Sequence, residues 1–383
     1  MSDKISDYIK ENNDFFITAR HHFHEYPELS CQEYETHKYI ASFLDSWGIP
    51  YEKAGETSIV ATIKGKSDKK TIALRGDIDA LPIQEETNLA WKSKHDGVMH
   101  ACGHDVHATF MLGVAKFLNE QKDCLAGTVK IIFEEGEEIG AGARKIMDAN
   151  LLDGIDTIAA LHDTQELDLG IFSLGYETMS SYGSGGKFII DTDGKTNAII
   201  VAGELVSAIT ALASLRLPKS EQIVLVPTVI KTEEFVEELP SKVSVAYNSR
   251  TLKLENEPFM QKILTDVAKN VAELFDCRID IELRKVGNVV NNDRYFTDLA
   301  TSVIKEHFGE NSLLFARPVM SGEDFALFQK TIPGIFIHIG GAVNNEYRVL
   351  HTSKTCVDDK ILPIGIEFLL RYVAAYFAAP EKH

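Results

Sequence analysis

Cysteine is scarce in this 383-residue sequence: there are five, at positions 31, 102, 124, 277 and 356, an odd number with no paired spacing. That usage argues against a disulfide framework and fits a reducing, cytoplasmic compartment. Clustered Lys and Arg are missing too. With 39 basic against 57 acidic residues the formal net charge is -18, which argues against a nucleic-acid partner. The acidic surface then reads as a source of solubility. No apolar run reaches the roughly 18 residues of a membrane span, and the opening MSDKISDYIKENNDFF lacks the apolar core of a signal peptide. No membrane partner is expected, and no internal repeat or low-complexity segment is found. What remains, with 44% hydrophobic and 25% charged residues, is a chain able to bury a large core in about two domains.

Periodicity predicts two opening helices. The first carries Ile5, Ile9, Phe16 and Phe23, and the second begins at a capping box of Ser30 and Glu33 and stops near Gly48. Strands and helices then alternate: SIVATI, TIALRGDIDA, a helix over 104–118, TVKIIF, a helix through ARKIMDANLL, and DTIAALH. This alternation predicts an α/β fold, a mostly parallel twisted sheet with helices on both faces. Near residue 180 the texture changes at SSYGSGGKF. Two helices and four strands over roughly a hundred residues then predict a smaller inserted α+β domain. After Val286 the first pattern resumes, with a helix over 293–308 and the strand GIFIHIG. The expected division is a discontinuous domain of 1–179 and 286–383, interrupted by an insert of 180–285.

In open α/β sheets ligands bind beyond the carboxyl ends of the strands. There the sequence places Arg75, Asp77 and Asp79 after TIAL, Glu134, Glu135, Glu137 and Glu138 after TVKIIF, and His162 after TIAAL. The stretch MHACGHDVHATF adds Cys102, His104 and His107, and His351 follows in RVLHTS. Singly, each has a plain structural explanation. A lone histidine is usually hydrogen-bonded or on the surface, EEGEE is usually a solvated turn, and Asp77 and Asp79 could cap a helix. His107 shares a helical face with His104 and Met111 and reads as structural. Taken jointly, thiolate, imidazoles and carboxylates suit zinc, or manganese, cobalt or nickel, and their number exceeds what one tetrahedral ion needs. Two divalent ions are expected. Of adjacent Glu137 and Glu138, one can hold a metal while the other takes a proton from water.

These motifs resemble peptidase family M20, specifically its aminoacylase-like branch with auxin-conjugate hydrolases, hippurate hydrolases and N-acetyldiaminopimelate deacetylases, and within it the AmhX-like amidohydrolases. The resemblance covers nearly the whole chain: HHFHEYPELSCQEYET, LRGDIDALPIQEE, GVMHACGHDVHATFMLG, EEGEEIGAGARKIM, ALHD, SGEDFALF, PGIFIHIGG and LHTS. It implies that Cys102, His104, Glu138, His162 and His351 are metal ligands, that Glu137 is the general base, and that Asp77 orients the site from behind the ligands. It also implies a di-metal catalytic domain and an inserted lid that often pairs with a second subunit. The lid departs from the family. FIIDTDGKTNAII lacks the usual histidine, and an asparagine position holds Glu237, whereas the family's GTxR arginine is kept as Arg250, a candidate carboxylate clamp.

The expected activity is hydrolysis of the amide bond of N-acyl amino acids or related small amides, with a possible homodimer through the lid. A dipeptidase or carboxypeptidase on the same metals is the alternative. A non-catalytic metal- or ligand-binding relative is disfavoured by the presence of Glu137 beside all five ligands.

Overall fold

Runs such as TIALRGD and TIAALHDT are apolar at successive positions, which suits strands covered on both sides. In the computed structural model, which describes residues 2–217, 222–232, 239–286, 288–344 and 346–380, they lie inside an eight-stranded sheet. Across it run Tyr51–Ala54, Ser58–Lys64, Thr128–Glu134, Thr71–Asp77, Thr157–Thr164, Gly334–Gly340, Phe172–Leu174 and Leu313–Phe315. The four strands from Thr128–Glu134 to Gly334–Gly340 are parallel, and antiparallel neighbours flank them on either side. Parallel strands of one sheet require crossovers. The helices His104–Glu120 and Gly142–Asp148 lie in two of these, so the end of one strand and the start of the next helix meet at one edge of the sheet.

The chain divides into two compact units: Met1–Met179 with Asn291–Arg317 and Leu327–His383, and Ser180–Val290 with Pro318–Ala326. The first is centred on Phe16, Phe110, Phe133, Phe172 and Tyr372, all fully buried between the sheet and its helices. The second has an antiparallel sheet in the order Arg278–Val286, Tyr182–Asp191, Lys242–Thr251 and Ile223–Lys231. Helices Ala198–Arg216 and Glu257–Phe275 pack with the alternate residues Val243, Val245 and Tyr247 of its third strand.

Several local expectations are corrected. The opening apolar stripe is carried by two helices, Ser2–Glu11 and Asn13–Glu25, broken at Asn12. Ser30 and Glu33 form no capping box. Ser30 Oγ donates to Asp79 Oδ2 (2.7 Å), while Glu33 accepts from Thr57 Oγ1 (2.6 Å) and the Gly136 N–H (2.9 Å). Two helices, Ala198–Arg216 and Ile361–Ala378, are long and apolar enough for a membrane span, contrary to the sequence expectation. Each packs its apolar side into the core of its own unit. The histidine-free DTDGKTN is a tight turn with Asp193 (φ 49°) and Gly194 (φ 72°) in the left-handed region and the Lys195 N–H on Thr192 O (3.0 Å). Glu237 lies outside the described residues.

Candidate metal centre

The geometry of the site follows from a few left-handed residues. Gly103 (φ 83°) precedes the helix His104–Glu120, so Cys102 and His104 stand on either side of a sharp reversal. Gly136 (φ 62°) and Gly140 (φ 67°) bracket the single turn Glu137–Ile139 after the strand Thr128–Glu134. His162 lies in a run of buried residues that extends from Thr157 to Asp163 in the strand Thr157–Thr164. His351, itself left-handed (φ 62°), is tied back by its N–H to Ala101 O (2.8 Å).

These segments bring together all five residues expected to hold metal. Cys102 Sγ lies 3.2 Å from His351 Nε2 and 3.7 Å from His162 Nε2. Glu138 Oε1 lies 3.4 Å from His351 Nε2 and 3.9 Å from His104 Nε2. Cys102, Glu138 and His351 form one cluster with ligand atoms within 4.8 Å of one another, and His104, Glu137 and Glu138 form a second. Glu138 belongs to both. His104 Nε2 and Glu138 Oε1 are buried with no hydrogen-bond partner among the described residues. Leaving a buried polar atom unpaired costs about 1–3 kcal/mol, so two convergent ones fit a cation between them.

A ring of carboxylates sits behind these five residues. Asp77 accepts from Arg75 Nη1 (2.7 Å) and His107 Nδ1 (2.5 Å), and His107 Nε2 faces Asp163 Oδ1 (3.0 Å). Both nitrogens of His107 are thus engaged by protein groups, and its ring centroid is 4.4 Å from that of His162. The His162 Nδ1–H donates to Asp163 O (2.6 Å) and that of His104 to Asp79 O (2.9 Å), which leaves each Nε2 lone pair free for a metal. The supporting roles of Asp79 and Asp163 escaped the sequence reading. Their one visible signal was position, a carboxylate at or just beyond the end of a parallel strand.

The electrostatics ask for positive charge. Burial pushes the Cys102 thiol well above its usual value, and Glu138, Glu137, Asp163 and Asp77 push it further, so a thiolate there needs a compensating cation. Burial opposes protonation of His104, but Asp77, Asp79 and Glu138 outweigh it and raise its pKa well above the usual range. A metal ion could satisfy the same field. Burial and the neighbouring His107 hold His162 neutral, the form that ligates. Arg250 is not among these residues. It belongs to the second unit, where it packs against Gly322 and lines a hollow of about 560 Å³ with Asn248 and Gly183.

A thiol, imidazoles and paired carboxylates converging beyond the ends of parallel strands define a metal-dependent hydrolase. The chain belongs to the peptidase family M20/M25/M40, whose model matches residues 73–375. As a member it is a metal-dependent hydrolase of amide bonds. It is 32% identical to an N-acetylcysteine deacetylase of Bacillus subtilis over 364 residues, covering 92% of this chain and 94% of that one. It is 28% identical to thermostable carboxypeptidase 1 of Saccharolobus solfataricus over 381 residues, 95% of each. Among solved structures, the Bacillus subtilis YXEP protein, described as a dinuclear metal binding peptidase, superposes with a TM-score of 0.82 at 31% identity, covering 96% of this chain and 99% of that one.

Proposed function

We propose that the first unit is a di-metal catalytic domain that hydrolyses N-acyl amino acids or related small amides. The observation that carries this reading is the pair of buried atoms without a hydrogen bond among the described residues, His104 Nε2 and Glu138 Oε1, beside a cluster that includes Cys102 and His351, with Glu137 at the adjacent position of the same turn. Cys102, His104, Glu138, His162 and His351 would hold two divalent ions, zinc or else manganese, cobalt or nickel. When bound, such ions polarise a carbonyl and make water more acidic. Glu137 removes a proton from the attacking water and returns it to the leaving amine, so the products are a carboxylic acid and an amine. Asp77 holds His107 against the strand that carries His162.

Arg250, on the second unit, would grip the substrate carboxylate through its forked guanidinium. That unit would act as the lid. Its edge strand Ile223–Lys231 exposes Val226, Val229 and Ile230, which supports pairing with a second copy. Five free cysteines support a cytoplasmic setting. The similarity to a carboxypeptidase keeps peptides as the second substrate class. The test is amine release by metal-loaded protein from N-acetyl, N-benzoyl and indoleacetyl amino acids, compared with dipeptides. Turnover of the acyl amino acids is expected, and turnover of dipeptides alone would reverse the assignment.

A further inference from the structure

Next to Gly136, which opens the turn Glu137–Ile139, three fully buried side chains stand in a row: Glu33, Thr57 and Glu135. Thr57 Oγ1 lies 2.6 Å from Glu33 Oε2 and 2.8 Å from Glu135 Oε2. A hydroxyl has one proton to donate, so it serves only one of the two carboxylates. With both ionised, the other contact would set lone pair against lone pair in a place closed to water. The row closes only with a second proton, carried by one of the acids. Glu135 is ringed by donors: Oε2 accepts from the Thr57 and Ser58 N–H groups, and Oε1 from the Glu56 N–H (3.2 Å) and Lys145 Nζ (2.6 Å). Burial alone would raise its pKa, but Lys145 and Thr57 outweigh burial and hold it well below the usual range. Among the described residues no cation faces Glu33. Its Oε1 accepts from the Cys31 N–H (2.8 Å) and the Gly136 N–H (2.9 Å), and its Oε2 has Thr57 alone. Burial, helped by the charge of Asp79, pushes its pKa up from 4.5 to about 7. The other titratable groups here turn elsewhere: Lys145 to Glu135, Glu56 and the Cys31 thiol, and His37 Nδ1 to Thr57 O (2.8 Å).

We propose that Glu33 is a positioning residue that works as a neutral acid, its Oε2–H donating to Thr57 Oγ1 and its Oε1 holding the Gly136 N–H, so that the turn bearing Glu137 and Glu138 is fixed while Glu33 keeps its proton. The role of that turn rests on the catalytic reading above; the protonation of Glu33 does not. Loss of the proton leaves two carboxylates competing for one hydroxyl proton, and the anchor at Gly136 loosens. Because the folded state holds the proton more tightly than the unfolded chain, the stability gained is complete below about pH 4.5 and is lost as pH rises through about 7. Glutamine mimics the neutral acid permanently: its N–H₂ donates to Thr57 Oγ1 while its oxygen keeps both backbone N–H groups.

The test compares wild type with Glu33→Gln in the full chain. In infrared difference spectra between pH 5 and pH 8, wild type should lose a carboxylic-acid carbonyl band that the variant lacks at both. The urea midpoint should fall from pH 5 to pH 8 by more in wild type than in Glu33→Gln, which should be the more stable of the two at pH 8. With metal loaded, the ratio of variant to wild-type kcat on an N-acyl amino acid should rise between pH 6 and pH 8 by up to about tenfold, the change in the neutral fraction of an acid titrating near 7. A merely structural glutamate would leave that ratio flat. An ionised Glu33 predicts the opposite pattern: no missing band, and a variant less stable than wild type at both pH values, because the amide would turn its N–H₂ on the backbone donors or leave Glu135 short of a proton. That result overturns the proposal, and so does a variant that fails to fold at pH 5. Wild type that hydrolyses no amide at any pH removes the catalytic reading instead, while the infrared and urea measurements still decide where the proton sits.

Discussion

Gly103 stands so close to Asp163 that a methyl group on residue 103 would fall within the aspartate's carboxylate. The same residue has a φ of 83°, where an L side chain costs about 1–2 kcal/mol. Gly103→Ala should therefore strain the helix start and displace Asp163 from His107 and His162. Both a lower urea midpoint and a lower metal content are expected. A wild-type value for either would show that the turn relaxes without disturbing the site.

Cys102→Ser and His351→Ala should each reduce bound metal sharply while leaving the circular dichroism of the fold unchanged, because the ligands come from distant parts of the chain. Elemental analysis of the purified variants is the check, and full occupancy would remove either residue from the ligand set. A metal-held thiolate should also resist alkylation until a chelator is added.

On the proposed assignment, Glu137 is the base and Glu138 the ligand. Glu137→Gln should keep its metal and lose roughly 10²–10⁴-fold in kcat, the usual share of general base catalysis. Glu138→Gln should lose metal first. Interchanged phenotypes would shift the assignment within the turn by one residue.

Stability should fall on the alkaline side through His24. This buried imidazole bonds Asp105 Oδ2 (2.9 Å) and Glu85 Oε1 (3.3 Å). Burial alone would lower its pKa, but the two carboxylates raise it from 6.5 to about 9. The folded state thus holds the proton more tightly than the unfolded chain. The contribution, on the order of 3 kcal/mol, is complete below about pH 6.5 and fades as pH rises toward 9. Urea titrations at pH 6 and pH 9 should show a smaller decline for His24→Gln than for wild type, and equal declines would contradict it.

Local periodicity carried most of the architecture. The helix expected over 104–118 is His104–Glu120, and the one expected over 293–308 is Arg294–Phe308. It failed where side chains serve distant partners. Ser30 and Glu33 have the spacing of a helix cap, but tertiary contacts with Asp79, Thr57 and Gly136 claim them instead. Asp79 and Asp163 matter through hydrogen bonds to residues far along the chain, which no window of neighbouring residues encodes. The break at Asn12 escaped because the apolar stripe continues through it from Ile9 to Phe16.

Cys102 and His351 sit 3.2 Å apart in the fold and 249 residues apart in the chain. At ribosomal speeds of about 5–20 residues per second, the thiol waits roughly 12–50 s for its partner to be made. The whole second unit is synthesised in that interval. On the proposed ligand assignment, metal loading would wait for residue 351, since a chain that stops short of it has the thiol without this imidazole partner. Chains that stop before residue 351 should therefore take up less metal than the full chain, and their Cys102 should alkylate faster.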